Sequence, residues 1–517
     1  MRHGREMRGD VSAVYDAIIV GSGFSGSTLG LILAKSGLRV AIIDRAKHPR
    51  FAIGESSTPT ADFLLAYMAD RWDLPALRPL AAWGTWLESY PALDCGKKRG
   101  FTYHSHVAHL DFQDDNQNSS SMMVAASQTD HWSDTHWMRS DIDSFLAREA
   151  SLRGCELFEE TTVESISRDE KVWAVNAIRG RDAKVPLRLR SRWLIDAGGG
   201  GDFSSRWLDN HSDDDWMKTK TGSVFGHFNR VGSFQLHTHP ATAVEPSVDF
   251  HVDDSAQHHV TEEGWLWMLR FRSGVTSVGI VRPTTHFPPV SSSEQARGVW
   301  ESWMRKYPSI GELLQDSVPT EQGVRSLKWS NRLSRCRRRS VGDGWALLPT
   351  AYGFVDPLHS TGIAHALSGV VRIAEYLTDN STVDSSSSRR WTEYDRQMRQ
   401  EVEWLDLLVG GCYQALPSFD KFCAFAAWYF VAAIEFERVM ARDPREWTNG
   451  YMTSGENTMR AAAEESFRGL SSHGEYEFLE KLRRAISPWN DVGLLEPATG
   501  RRIRHTAPPK FASRLHS

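Results

Sequence analysis

The stretch YDAIIVGSGFSGSTLGLILAKSGLRVAIIDR, Tyr15 to Arg45, constrains the fold more than any other part of the chain. Ala17 to Val20 is a short apolar run of the kind found in buried strands. Gly21, Gly23 and Gly26 follow with the spacing G-x-G-x-x-G. The first glycine permits a tight turn, the second lets backbone approach a pyrophosphate, and the third lets a helix pack on the strand. Leu29, Ile32 and Leu33 carry helical apolar spacing up to Lys35, and the N-terminus of that helix offers free N–H groups and a positive dipole end to phosphate. Gly37 closes the helix. Leu38 to Ile43 form a second strand ending at Asp44, whose carboxylate can accept ribose hydroxyls. Ser22, Phe24, Ser25 and Arg45 complete the candidate cofactor-binding set at this end. The pattern specifies a Rossmann-type nucleotide-binding unit and leaves FAD and NAD(P) open.

A chain of 517 residues exceeds what one hydrophobic core supports, so further subdomains are expected. Its 40% hydrophobic and 24% charged residues are ordinary for a soluble globular protein. A net charge of −5 gives no reason to expect nucleic acid, and the basic run Arg335 to Arg339 reads as a solvated loop. Five cysteines without CxxC or CxxH pairing argue against a disulfide framework or a metal site, and for a reducing compartment. The first residues, MRHGREMRGDVSAVYD, lack an apolar segment of signal-peptide type, and no run is long enough to span a bilayer. A cytoplasmic protein without membrane partners is the expectation. Twenty tryptophans are many for this length, and indoles both fill cores and line pockets for flat ligands.

Two further segments bear on chemistry. FAIGESSTP, Phe51 to Pro59, follows the second strand, and GFVDPLHSTG, Gly353 to Gly362, leads into IAHALSGVVRIAEYL, which has helical apolar spacing. Pro357 presets its dihedral, and Ser360, Thr361 and Gly362 suit an N-terminal anion nest.

Together these pieces resemble the flavin-dependent halogenases, within the hydroxylase-like FAD-dependent oxidoreductases, from about Tyr15 to about Met440. GESSTP is similar to the family's GE[AS]-x-x-P segment, which lies against the isoalloxazine, so the resemblance places Glu55 and Ser56 at the cofactor. FVDPLHSTG is similar to F-V-x-P-L-x-S-T-G. By that likeness Thr361 and Gly362 would hold halide and Ile363 would touch the flavin ring. Arg139, Asp143 and Leu146 resemble the R-x-x-x-D-x-x-L stretch of these flavoproteins, and LIDAGG, Leu194 to Gly199, resembles the return to the FAD domain. The resemblance further implies a lysine that receives hypohalous acid. In CGKKRGFTYH the family spacing favours Lys98, with Gly100 and Tyr103 behind it, over Lys97. Alternation along a strand forbids both from facing one pocket. A working lysine must be partly deprotonated, and the neighbouring Lys97 and Arg99 are expected to lower its pKa.

Three departures stand out. Pro349-Thr350 replaces the class's Gly-Asp, leaving ribityl contacts to Thr350 or backbone, while Gly342-Asp343 comes too early. His359 stands where halogenases of free tryptophan carry glutamate. GWLWMLRF, Gly264 to Phe271, keeps Trp265 and Trp267 of G-W-x-W-x-I-P but not its Ile-Pro, so the backbone is expected to continue as a strand.

The fold class expected is α/β: a Rossmann-type FAD-binding domain, an inserted β-sheet substrate domain and a C-terminal helical cap. The expected boundaries are a tail 1–14, FAD-binding 15–200, a β-rich substrate domain 201–335, an FAD-binding return 336–378, helices 389–495 and a basic, uninformative tail 496–517. His109 to Met123 is expected to be a mobile polar loop and Asp379 to Ser388 a linker. The function implied is halogenation of an electron-rich aromatic, free or carrier-bound, using FADH2, O2 and chloride or bromide. A flavin hydroperoxide would oxidise halide to hypohalous acid. Glu55 or one of His104, His106 and His359 would act as acid or base, with Trp265, Trp267 and His104 lining the pocket. With one dinucleotide fingerprint, a separate flavin reductase is expected to supply FADH2. A flavin monooxygenase and a flavin-binding protein without halogenation are the alternatives.

Overall fold

The computed structural model describes residues 14–115, 118–180, 182, 184–235, 250–286, 289–320, 327–379, 386–445, 450–499, 501–503 and 506. The fingerprint folds as its spacing dictates. The strand Val14–Val20 runs into the helix Phe24–Lys35, and the strand Val40–Ile43 lies parallel beside the first. The strand Val185–Asp196 pairs parallel on the other side, followed by Trp345–Leu347. These form an eight-stranded sheet that also carries Glu156–Phe158, Val341–Gly342 and an antiparallel hairpin, Thr161–Asp169 and Val172–Arg179. LIDAGG is therefore the return to this sheet, as expected.

A nine-stranded sheet forms the second layer, in the order Val318–Pro319, Thr221–Asn229, Thr276–Pro283, Gly264–Arg270, Ala256–Thr261, Gly100–Ser105, Ser121–Ala125 and Arg502–Ile503, with Lys328–Ser330 branching from Thr221–Asn229. Three expectations change here. The sheet takes strands from before residue 201 as well as after it. The last three residues of the supposed loop belong to the strand Ser121–Ala125, because Met122, Met123 and Val124 have apolar neighbours to bury against. The tail is not uninformative, since Arg502–Ile503 adds to the sheet edge. Within 201–335 the helices Ser293–Lys306 and Pro308–Leu314 cover one face of this sheet. The other face, with Phe101, Tyr103, Trp265 and Trp267, joins the main core.

The helix Gly362–Thr378 is buried over twelve consecutive positions, Ile363 to Ala374. The C-terminal helices Ser386–Gln414, Phe419–Arg442, Asn457–Ser472 and Glu475–Ile486 pack behind it. The tail 1–13 and most of the supposed linker, 380–385, lie outside the described residues. No described helix is long and apolar enough to cross a membrane.

Candidate active site

At the nucleotide turn Gly21 adopts φ +110°, and a Cβ there would stand 2.6 Å from the Ala197 carbonyl oxygen. A Cβ on Gly26 would stand 2.1 Å from the Gly21 oxygen, so the helix seats on the turn only with glycine at both. Around Gly23 the nearest atoms to such a Cβ are the guanidinium groups of Arg139 and Arg50, at 3.7 and 3.8 Å, and the Asp143 carboxylate. The Asp44 carboxylate accepts from Ser22 N and Ser22 Oγ, both at 2.8 Å, and from Ala46 N at 2.8 Å, with Arg50 at 3.1 Å. Burial alone would raise its pKa; Arg50 and these donors outweigh burial and hold it below the usual carboxylate range. Arg45 is exposed.

The GESSTP segment is stapled in place. Arg139 donates to the carbonyls of Ile53 and Gly54, at 2.8 and 3.0 Å, and forks onto Asp143 at 2.9 Å. Trp137 N donates to Glu55 O and Ser57 N to Thr135 O. The Glu55 side chain is buried and meets His227 Nε2 at 2.5 Å. For His227, burial pulls the pKa down, but the charge and hydrogen bond of Glu55 together push it above the ordinary value. Ser56 Oγ is buried without a hydrogen-bond partner among the described residues.

Beneath this segment lies Lys98, fully buried on the strand Cys95–Lys98, donating to Ser57 O and standing 4.0 Å from the Phe101 ring centroid. Lys97 points the other way, to Asp130 and Asp254 at 2.6 and 2.9 Å. Burial lowers the Lys98 pKa to about 8, against the pull of Asp134, Asp62 and Glu437. The expected cause is thereby corrected: Lys97 and Arg99 are both paired to Asp130, and the desolvated site is what weakens the ammonium.

The FVDPLHSTG segment turns into its helix through His359 and Ser360, both left-handed at φ +70° and +59°, followed by right-handed Thr361. A left-handed to right-handed step converges successive N–H groups into an anion-binding concavity, and the helix adds its positive end. At Gly362 a Cβ would meet only the Phe354 ring, at 3.5 Å, so the backbone is open to close approach. Asp356 locks the loop, accepting from Leu358 N, Thr221 Oγ1 and Tyr413 Oη at 3.0, 2.6 and 3.0 Å. Trp265 Nε1 donates to the same Tyr413 oxygen at 2.8 Å.

Between Lys98 and this turn stands a stack of rings. His359 lies on Tyr429 at 4.5 Å and 11°, and Tyr103 on His258 at 4.5 Å and 21°. His359 Nδ1 meets Tyr103 Oη at 2.9 Å and its Nε2 meets Cys412 Sγ at 3.5 Å. Burial holds His359 well below the usual imidazole range, hence neutral.

The family model described as FAD dependent oxidoreductase matches residues 16–341, more than half of the sequence. The chain belongs to that family. The monodechloroaminopyrrolnitrin halogenase PrnC of Pseudomonas fluorescens is 29% identical over 436 residues, 83% of this chain and 73% of that one. The tetracycline 7-halogenase of Kitasatospora aureofaciens is 27% identical over 465 residues, 89% and 77% of the two chains. In structure, halogenase PltM superposes with a TM-score of 0.81 at 25% identity, covering 95% of this chain and 100% of that one. The resemblance to flavin-dependent halogenases is thus borne out, and this FAD dependent oxidoreductase has FAD as its cofactor. Its residues fit that group. Two glycines that tolerate no Cβ shape the turn, two guanidinium groups face the second glycine where a pyrophosphate would sit, and Ser56 Oγ awaits a partner.

The candidate residues of this oxidoreductase converge unevenly. Glu55, Ser56 and Lys98 share one end of the core, and His359, Thr361, Gly362 and buried Ile363 share the turn beyond the ring stack. Thr350 uses its carbonyl to bind Arg335 at 2.9 Å. The strand Gly264–Arg270 runs straight on, as loss of the proline predicts, and both indoles face the main core, with Trp267 laid over Gly279. His104 is not brought to the site. It is next to Tyr103 on a strand and so faces the second core, beside Phe112 and Phe234. Among the described residues no cluster suits a metal ion. His227, Arg50, Asp62, Asp134 and Glu437 escaped the sequence reading. None lies in a motif, and Glu437 reaches Thr60 across 377 positions.

Proposed function

We propose that this chain is an FADH2-dependent halogenase that transfers chlorine or bromine to an electron-rich aromatic ring, a phenol, pyrrole or indole. What carries the reading is the combination of a left-handed nest opening a buried helix with a fully desolvated lysine across an aromatic stack. Reduced flavin and O2 supply the oxidising equivalent that turns halide into hypohalous acid. Thr361 and Gly362 hold the halide by backbone N–H groups. Glu55, tied to His227 and to Trp137 N, fixes the segment that covers the flavin. Lys98 receives the hypohalous acid, and the rings of Phe101, Tyr103, His258, His359 and Tyr429 exclude water from its path. The neutral His359, bonded to Tyr103 and Cys412, ties the halide-binding turn to the ring stack.

A separate flavin reductase supplies FADH2, because the chain carries one dinucleotide fingerprint. Two relatives are named for a pyrrole carried on a peptidyl carrier protein, so the substrate panel includes carrier-bound as well as free aromatics. The test is product mass from the holoenzyme with a partner reductase, that panel, and chloride replaced by bromide. A mass shift that follows the halide supports the reading. Oxygenated product indifferent to halide assigns the chain to the monooxygenases instead, and the missing Ile-Pro after Trp267 is the feature that would then have been decisive.

A further inference from the structure

Lys98 is not buried alone. Asp134 is its cross-strand partner, Asp62 comes from the helix Pro59–Arg71, and Glu437 from the helix Phe419–Arg442. All three carboxyls are buried, at 1, 1 and 2% exposure. Glu437 accepts from Thr60 Oγ1 at 2.9 Å. Both Asp62 oxygens and Asp134 Oδ2 lack a donor among the described residues, while the two carboxyls stand within hydrogen-bonding reach of each other. Carboxyl oxygens so placed bond only if one of them carries a proton. The other groups facing Lys98 bring no charge. They are the Ser57 carbonyl, the Phe101 ring, and His136 and His258, both held neutral by burial, with pKa values lowered to about 3.

We propose that Asp62 and Asp134 form a shared-proton carboxyl pair that takes the proton Lys98 must lose before its nitrogen can accept halogen. Glu437 acts as a neutral companion. Three carboxylates around one ammonium would leave two uncompensated charges in a sealed site, so protons stay behind. Burial accordingly pushes Asp62 and Asp134 upward, and Glu437 to about 8. The inference rests on the halogenase reading of Lys98. The ammonium gives its proton to the carboxyl pair. The amine nitrogen then bonds halogen as the halogen–oxygen bond breaks, and an amine hydrogen leaves with the hydroxyl as water. When halogen passes to the ring carbon, the nitrogen–halogen bond breaks and the ring proton restores the amine. The pair then returns its proton to the amine, and the sum is hypohalous acid plus arene giving haloarene plus water, with the pair and the lysine unchanged. Asp62 and Asp134 are thus positioning residues that act through Lys98.

The experiment is the pH profile of kcat/KM for halogenation by the FAD-loaded full chain, comparing wild type with Asp134→Asn and Asp62→Asn. Removing the counter-charge makes the ammonium easier to deprotonate, so the acid limb of Asp134→Asn moves to lower pH by about one unit. Asp62→Asn moves it the same way by less. Limbs that stay in place in both variants, with flavin still bound, overturn the proposal. Should the variants not fold, the wild-type holoenzyme still decides. The ε-carbon signal of Lys98, assigned by its loss in Lys98→Arg, titrates near the lowered value if the proposal holds, whereas a midpoint near the ordinary lysine value of about 10.4 overturns it. A wild type that makes no halogenated product sinks the halogenase reading instead, and the titration reports on the buried charge cluster separately.

Discussion

Lys97 and Lys98 show how much one step of strand register decides. The same side chain in neighbouring positions is a surface cation paired to Asp130 in one case and a desolvated amine in the other. Lys98→Ala is expected to lower halogenation by at least about 100-fold, the scale of losing one acid–base group, while flavin absorbance of the purified protein is retained. Lys97→Ala is expected to keep activity within about 2-fold, since exposed ion pairs contribute little. The resemblance to the family's lysine spacing made Lys98 legible in the sequence, and strand alternation only excluded that both lysines face one pocket. The partner of Glu55 was not legible, because His227 lies 172 positions away, on the strand Thr221–Asn229 of the second sheet. His227→Gln leaves a buried carboxyl without its strongest donor and is expected to cost about 1–3 kcal/mol in urea unfolding. The pH dependence follows from sign. The folded pKa of His227 lies above its unfolded value, so the pair stabilises fully below about 6.5 and loses that contribution as pH rises through the folded pKa. The deficit of the variant against wild type should be larger at pH 6 than at pH 9, and equal deficits would contradict the pairing.

The helix Gly362–Thr378 depends on what its far side is tied to. Glu401, on the helix Ser386–Gln414, accepts from Arg372 at 2.9 and 2.8 Å, contacts His365 at 3.0 Å, and accepts from Tyr451 N at 2.8 Å. Burial would raise its pKa, yet Arg372 and His365 outweigh burial and lower it to about 2. Breaking a buried pair by removing one partner typically costs about 3–5 kcal/mol, and Glu401→Ala is expected to fall in that range by denaturant midpoint. In wild type this contribution is present above the unfolded carboxyl value of about 4.3 and is lost as pH falls toward the folded one. The sequence showed where this helix starts, through Pro357 and the Ser-Thr-Gly step, and its apolar spacing gave its length. It could not show that His359 and Ser360 both turn left-handed, since neither is a glycine and only the locks from Asp356 and the ring stack hold them there. The strand Ser121–Ala125 was hidden in the same way. The serines and asparagines leading into it look like a loop until a sheet edge and Arg502–Ile503 come to either side.

Across the molecule, each pair of its three bodies is joined through buried polar groups as well as by one continuous apolar cluster. Glu55 with His227 and Thr221 with Asp356 link the FAD-binding body to the substrate sheet. Trp265 with Tyr413, and Asp406 with the backbone of Lys218 and Thr219, link that sheet to the C-terminal helices. Thr60 with Glu437 and Arg372 with Glu401 close the third side. Opening any one body would strand a carboxyl or guanidinium in an apolar surface, which costs more than the local contacts return. A chain of 517 residues built this way should melt as a unit, although multidomain proteins commonly do not. Calorimetry of the FAD-free protein is expected to show a single transition with calorimetric and van't Hoff enthalpies equal within error. Adding FAD at 100 times its Kd should raise the whole transition by about 2.7 kcal/mol of stability without splitting it. Fluorescence of the buried indoles Trp404 and Trp428, both in the C-terminal helices, should change together with that of Trp86 and Trp137 near the GESSTP segment. Earlier melting of the C-terminal pair would show that these helices are a detachable lid, and Glu437 would then be a removable neighbour of Lys98 and not part of its permanent charge balance.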